Sequence, residues 1–183
     1  MKILILTPWC DDLCLKSVKG MPLNAFLLDK LIEKGHKVSI FCTLGEKDEC
    51  SVALNKISLP YFSCPSPLIY FVNMFLYFRH SLLIYKTLRV KIDEEKPDVI
   101  LNIAHFGTLA LKRLSIRRKI PLVLLVYGIF DLKKPFLPTK FIPYFQNIFG
   151  FLLKPDKMIT INDGSAPKEW LTKTLKLPAN KIA

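Results

Sequence analysis

The sequence predicts an α/β domain, an open and mostly parallel sheet with helices on both of its faces. Short aliphatic runs alternate with amphipathic stretches from the first residue onward, the pattern of βαβ units. Several of these runs are apolar at consecutive positions rather than at every second one, as strands buried on both faces must be. The 183 residues read as a single domain, 1–183, with no repeat, low-complexity segment or interdomain linker. That length buries a core without help from disulfides or metal.

Ile3 to Leu6 is the first aliphatic run, and Thr7-Pro8 is expected to end it because proline offers no donor to the ladder. Residues 8–20 form a loop closing on Lys19-Gly20. Leu23, Leu27 and Leu31 then recur at helical spacing beside Leu28 and Ile32, with Asp29, Lys30, Glu33 and Lys34 on the other face. Gly35 stops this helix. Val38 to Cys42 is the second strand, and Ile57 to Phe62 a weaker third that Pro60 places at an edge. Residues 67–95 make one long helix or two, aromatic first (Tyr70, Phe71, Phe75, Tyr77, Phe78, Tyr85) and basic later (Lys86, Arg89, Lys91), ended by Pro97.

Asp98 to Ala104 is the fourth strand, Leu109 to Ile116 a short helix and Pro121 to Val126 the fifth strand. Both strands are apolar on both faces and therefore central. A helix near 142–153, a sixth strand at Met158 to Ile161, and a last helix through Leu175 capped by Ser165 complete the order. That order is Rossmann-like.

Hydrophobic residues make up 51% of the chain and charged ones 23%, a balance that excludes default disorder. Lys and Arg outnumber Asp and Glu by 27 to 15, a net +12, which attracts phosphates, nucleic acid or anionic lipid. Nucleic acid is set aside. The basic cluster Lys112, Arg113, Arg117, Arg118 and Lys119 has no interleaved stacking aromatics and no nucleic-acid motif, so it reads as a solvated face. Too few apolar residues precede Pro8 for a secretory signal, which points to the cytoplasm. The five cysteines (Cys10, Cys14, Cys42, Cys50, Cys64) are accordingly expected as reduced thiols, and no His or Cys pair completes a zinc set around Cys10 and Cys14.

The apolar segment Leu68 to Phe78 is eleven residues long, short of the ~20 that span a bilayer. The aromatic stretches at 68–85 and 136–151 are read first as core. Their second reading is a surface against acyl chains, with nearby lysines on lipid phosphates. An anionic membrane surface is thus a further partner, with the chain peripheral at the inner face of the membrane.

In an open parallel sheet, ligands bind beyond the carboxyl ends of the strands. Four segments meet that condition: the loop at Lys19-Gly20, His105-Phe106-Gly107, Tyr127-Gly128-Ile129-Phe130-Asp131 and Asn162-Asp163-Gly164. Gly20 precedes a helix start, where free N–H groups favour an anion such as phosphate, or is a plain turn. His105 is placed to take a proton from a sugar hydroxyl, or is a partly buried histidine bonded to backbone. Asp131 and Asp163 serve as base or hydroxyl anchor, or as turn and cap residues. No G-x-G-x-x-G and no G-x-x-x-x-G-K-[ST] is present, which argues against dinucleotide and P-loop nucleotide chemistry.

Several segments together resemble the amino-terminal domain of the family 4 type of retaining, GT-B fold glycosyltransferases, over essentially the whole chain. They are Lys2-Ile3-Leu4-Ile5-Leu6-Thr7-Pro8-Trp9, Leu31-Ile32-Glu33-Lys34-Gly35-His36-Lys37-Val38, Lys96-Pro97-Asp98-Val99-Ile100, Ile120-Pro121-Leu122-Val123 with Tyr127-Gly128, and Pro155-Asp156-Lys157-Met158-Ile159-Thr160 followed by Leu177-Pro178-Ala179-Asn180-Lys181-Ile182. The resemblance implies an acceptor-binding half that works with a second, carboxy-terminal Rossmann-like domain holding most of a nucleotide sugar. Transfer to a glycan or lipid-linked acceptor occurs between them with retention and without a cofactor or metal. Taken with the strand-end positions above, the expected catalytic residues are His105, Asp131 and Tyr127, with an acceptor or phosphate loop at Lys19, Gly20 and Gly128 and a cleft edge at Asn162, Asp163 and Gly164.

Two departures stand out. Lys19-Gly20 replaces the pair of glycines common in the family's first loop, and Tyr127 replaces a common histidine. A tyrosine hydrogen-bonds a hydroxyl or phosphate but is a poor base near neutrality. Because the nucleotide-binding residues of the family lie beyond residue 183, the chain alone is expected not to turn over. The alternatives are a non-catalytic module binding anionic lipid or a protein, and a nucleotide-sugar epimerase of GT-B-like fold.

Overall fold

A computed structural model describes residues 1–9, 22–44, 54–59, 69–103, 106–126, 150–161 and 166–183. Six strands, β1 (Lys2–Trp9), β2 (Lys37–Leu44), β3 (Leu54–Lys56), β4 (Val99–Ile103), β5 (Leu122–Val126) and β6 (Lys157–Thr160), form one sheet in the order β3-β2-β1-β4-β5-β6. Every pairing is parallel. The helices are α1 (Pro22–Glu33), α2 (Ile69–Glu95), α3 (Thr108–Arg118) and α4 (Pro167–Lys173), with a 3-10 turn at Ala179–Lys181. The predicted class, an open parallel sheet clad on both faces, is what folds.

Alternation along β1 divides the core. Ile3 and Ile5 pack with Ile40, Leu101, Ile103 and Leu125 against Leu28 of α1. Leu4 and Leu6 turn the other way, to Ile84, Leu88 and Ile92 of α2 and Ala110, Leu111 and Leu114 of α3. Farther along that second face, Leu124 and Val126 meet Phe151, Met158 and Leu171 of α4. Each fully buried aliphatic side chain contributes on the order of 1.5–3 kcal/mol. This explains why β5 and the first half of β1 read as unbroken aliphatic runs, and β4 as one broken only by Asn102.

Gly35 ends α1 as expected. Its φ is 73°, and the bonds Gly35 N–H to Ile32 O (2.8 Å) and His36 N–H to Leu31 O (3.1 Å) form a Schellman motif. α2 and α3 end differently, on left-handed lysines at Lys96 and Lys119 with φ of 50° and 55°. The lysine charge is favourable at the negative end of the helix dipole.

The tripeptide Lys-Pro-Asp does one job twice. Lys96 closes α2, Pro97 is buried, and the Asp98 carboxylate accepts the N–H of Lys2 at 2.7 Å while the Asp98 N–H donates to Lys2 O at 2.9 Å. At the second copy Lys154 is left-handed, Pro155 is buried, and Asp156 exchanges the same two bonds with Leu122, both at 2.9 Å. Each aspartate thus fixes the start of the neighbouring strand, β1 or β5. Both sit at the amino edge of the sheet.

Four expectations need correction. Pro8 does not end β1, which runs to Trp9. β4 pairs with β1 only as far as Leu6, so the N–H that Pro8 lacks forfeits no bond on that side. The third strand, expected from Ile57 to Phe62, is Leu54–Lys56, and 57–59 follow it outside the strand; residues 60–62 lie outside the described residues. Its ladder with β2 is fastened by Asn55 Nδ2 donating to Ile40 O at 3.1 Å, while Ile57 and Leu59 fill the core as extended chain beyond the ladder. The last helix stops at Lys173 and is N-capped by Ala166 at φ 46° without a side-chain cap bond; Ser165 lies outside the described residues. Cys42, expected as a reduced thiol, is disulfide-bonded.

No helix among the described residues is long and apolar enough to cross a membrane. On α2, burial pushes the Tyr77 hydroxyl up to about 12. An ordinary tyrosine in the unfolded chain titrates near 10, so the folded state holds this proton more tightly. Its contribution to stability is fully present below about pH 10 and is lost as the pH rises toward about 12. Denaturant midpoints measured across that window should fall more steeply for the wild type than for Tyr77→Phe.

Candidate functional site

The strand order places a switch point between β1 and β4. The chain leaving β1 passes through α1 to β2 on one side, and the chain leaving β4 passes through α3 to β5 on the other. Connections that diverge in this way open a crevice at the carboxyl ends of the two strands, where ligands of such sheets bind. Lys19, Gly20, His105, Tyr127, Gly128, Asp131, Asn162, Asp163 and Gly164 all lie outside the described residues. In sequence they fall between described elements: after β1, between β4 and α3, after β5, and after β6.

The described wall of the crevice is polar where the rest of the core is aliphatic. Thr7, Asn102 and Thr108 are buried there. Asn102, opposite Leu6 in the β1 ladder and Leu124 in the β5 ladder, donates from Nδ2 to Thr108 Oγ1 at 2.8 Å. Its Oδ1 is enclosed with no hydrogen-bond partner among the described residues. An unsatisfied buried acceptor costs about 1–3 kcal/mol, a departure from local consistency that proteins concentrate at functional sites. One amide inside an aliphatic strand was the sequence signal, and hydrophobic patterning alone passes over it.

Gly107 controls how closely α3 approaches the crevice. It is the N-cap, with φ 76°, and a methyl group in place of its hydrogen would stand 2.5 Å from Leu6 Cδ2 and 3.4 Å from Ile84 Cδ1. The first helical bond runs from Leu111 N–H to Gly107 O at 3.0 Å, so the N–H groups before it have no partner within the helix. The first turn carries no acidic residue and no side-chain cap. The positive end of the α3 dipole therefore faces the crevice without a carboxylate of its own helix, an arrangement that favours an anion. Beside it, the buried His80 ring of α2 lies 6.2 Å from that of Phe106.

The basic cluster of α3 has internal partners. Arg113 stacks over the Tyr85 ring at 5.1 Å, Arg117 donates to the Tyr85 hydroxyl at 2.6 Å, and Arg118 pairs with Asp93 at 2.6 Å. Lys112 reaches Asp156 at 3.9 Å. The cluster ties α3 to α2 and to the amino edge, away from the crevice. As expected the face is solvated, with Arg113, Arg117, Arg118 and Lys119 exposed, and its cations also link α3 to its neighbours.

The fold and crevice define one half of a GT-B molecule, a single Rossmann-like unit with a ligand edge at its switch point. Residues 25–183 match the family model described as Glycosyltransferase Family 4. The chain belongs to that family. Among solved structures it is similar to a UDP-GlcNAc 2-epimerase from Methanocaldococcus jannaschii (TM-score 0.61, 13% identity, 100% of this chain and 45% of that one). It is similar also to CalG4, the calicheamicin glycosyltransferase (TM-score 0.61, 11% identity, 99% and 51%), and to the lipopolysaccharide outer core galactosyltransferase WaaB (TM-score 0.58, 16% identity, 100% and 44%). The chain spans about half the length of these proteins. No curated protein matches the sequence.

Proposed function

We propose that the chain is the acceptor-binding half of a retaining glycosyltransferase that moves a sugar from a nucleotide-sugar donor to a glycan or lipid-linked acceptor. The observation that carries this reading is the family match over residues 25–183. The β1/β4 crevice supplies the place for the chemistry.

Within that reading, the uncapped N-terminus of α3 attracts the phosphate side of the donor. Lys19, Gly20 and Gly128 form the loop against acceptor or phosphate, and Asn162, Asp163 and Gly164 line the cleft edge. His105 and Asp131 orient the attacking hydroxyl and receive its proton, and Tyr127 hydrogen-bonds the sugar or phosphate. No metal or cofactor enters the reaction. A second Rossmann-like unit holds most of the nucleotide, and without it the 183-residue chain binds but does not turn over. The enzyme works in the cytoplasm.

Product analysis tests this. A protein in which this chain is joined to a family 4 nucleotide-sugar unit is incubated with labelled nucleotide sugar, with and without glycan or lipid-linked acceptors. The proposal expects labelled acceptor only when acceptor is present, with the anomeric configuration retained. Conversion of the sugar without acceptor would establish an epimerase instead, and no chemistry under any condition would leave a binding module.

A further inference from the structure

We infer, resting on the reading of the α3 N-terminus as the place of the donor's phosphates, that Asn102 is the positioning residue of that oxyanion subsite and is kept there at a cost in stability. Asn102 occupies a position that suits an aliphatic side chain. It has no exposed surface and stands between Leu6 of β1 and Leu124 of β5, which are themselves fully buried. A leucine, close to asparagine in shape, would continue that row. The amide instead satisfies Nδ2 on Thr108 Oγ1 at 2.8 Å and leaves Oδ1 enclosed with no partner among the described residues. One hydrogen bond of ordinary net strength does not offset an unmet buried acceptor. Proteins retain such local conflicts where function needs them.

The bond shows what is retained. It joins the next-to-last residue of β4 to the first residue of α3, and so spans the turn by which the chain leaves the sheet. A threonine hydroxyl has two lone pairs and one proton; the amide takes one lone pair and with it fixes the Thr108 rotamer. Gly107, just before, has no Cβ to hold the helix away from Leu6. Clasp and glycine together set where α3 starts and where its first turn points.

That turn is built to receive an anion. The first bond inside the helix is Leu111 N–H to Gly107 O, so no carbonyl of the helix takes up the N–H groups of Thr108, Leu109 and Ala110. Neither an acidic residue nor a side-chain cap stands there. An oxyanion accepting from these groups also meets the positive end of the helix dipole. Donors of this kind bind strongly when their direction is fixed beforehand. Asn102 is fully enclosed and acts on the anion through Thr108.

The test is a titration of the 183-residue chain with inorganic pyrophosphate, followed through its backbone amide resonances, with thermal melts alongside. Saturable shifts are expected at Thr108, Leu109 and Ala110. Asn102→Leu should weaken binding by roughly tenfold or more while its Tm stays at or above that of the wild type, a divergence that a merely structural residue would not produce. Thr108→Val, which strands the amide, should weaken binding as much and melt below the double variant Asn102→Leu, Thr108→Val. Thr108→Ser keeps the hydroxyl and should keep the binding, as should Ile116→Ser at an exposed position farther along α3. No binding by the wild type, shifts confined to Arg117 and Arg118, undiminished binding by Asn102→Leu, or a lower Tm in that variant would overturn the inference. Pyrophosphate binding is read without sugar or a second unit, so these results leave the sugar-transfer reading standing. Absence of transfer in the joined protein, with Asn102-dependent binding intact, would remove that reading alone.

Discussion

Gly107→Ala is expected to destabilise the chain by about 2–5 kcal/mol, a large part of the stability of an ordinary domain. Two costs combine. At φ 76° any residue with a Cβ carries the left-handed penalty of about 1–2 kcal/mol. The new methyl also stands 2.5 Å from Leu6 Cδ2, inside the core between β1 and α2, so a fully buried leucine must move. Gly35→Ala isolates the first cost, because Gly35 has a similar φ of 73° and nothing within 4 Å of the added methyl. Urea unfolding of both variants should show Gly35→Ala losing only about 1–2 kcal/mol, with the remainder at Gly107 measuring the close approach. Equal losses would mean that α3 is not held against β1 by that glycine.

The double variant Asp98→Ala with Asp156→Ala should cost about 2–4 kcal/mol, the larger share from Asp156. Asp156 accepts the N–H of Leu122, a residue with no exposed surface, and its removal strands that donor at the start of a central strand. The Asp98 bond to Lys2 is solvent-exposed and weaker in effect. The two sites share no partner, so their losses should add. Asp156→Asn, which retains an acceptor oxygen, should recover part of the loss in thermal melts. Neither aspartate lies at the crevice, so ligand binding at a temperature where the variants remain folded should not change.

This pair also shows what could and could not be read from residues alone. Lys96-Pro97-Asp98 and Pro155-Asp156-Lys157 were among the segments that carried the family resemblance, and the structure places both at the amino edge, opposite the crevice. They identify the family because they fix its sheet. The central strands were legible because Leu4, Leu6, Ile100 and Leu122 have to be apolar on each buried face. The edge was not: at β3 a ladder formed by Leu54, Asn55 and Lys56 outranks the more apolar stretch after it, since pairing depends on backbone register rather than side-chain hydropathy. Cys42 was misread because disulfide bonding depends on the tertiary fold, which spacing along the chain does not reveal.

The sheet edge at which a site is expected was legible. That ligands belong beyond the carboxyl ends follows from parallel topology, and the strand order puts the switch point at β1/β4. Asn102 escaped notice because its meaning comes from Thr108, six residues on, after the chain has turned into α3. The roles proposed for His105, Tyr127 and Asp131 would depend on side-chain placement, which no periodicity encodes.

The most direct measurement is the rate of sugar transfer by the joined two-unit protein carrying His105→Ala or Asp131→Ala, with Asp98→Ala as the amino-edge control. Loss of a proton-handling group typically costs about 10²–10⁴ in rate. The account predicts losses in that range at His105 and Asp131 with unchanged thermal melting, and unchanged transfer in folded Asp98→Ala. Wild-type rates in both crevice variants, or an equal loss in the control, would contradict it.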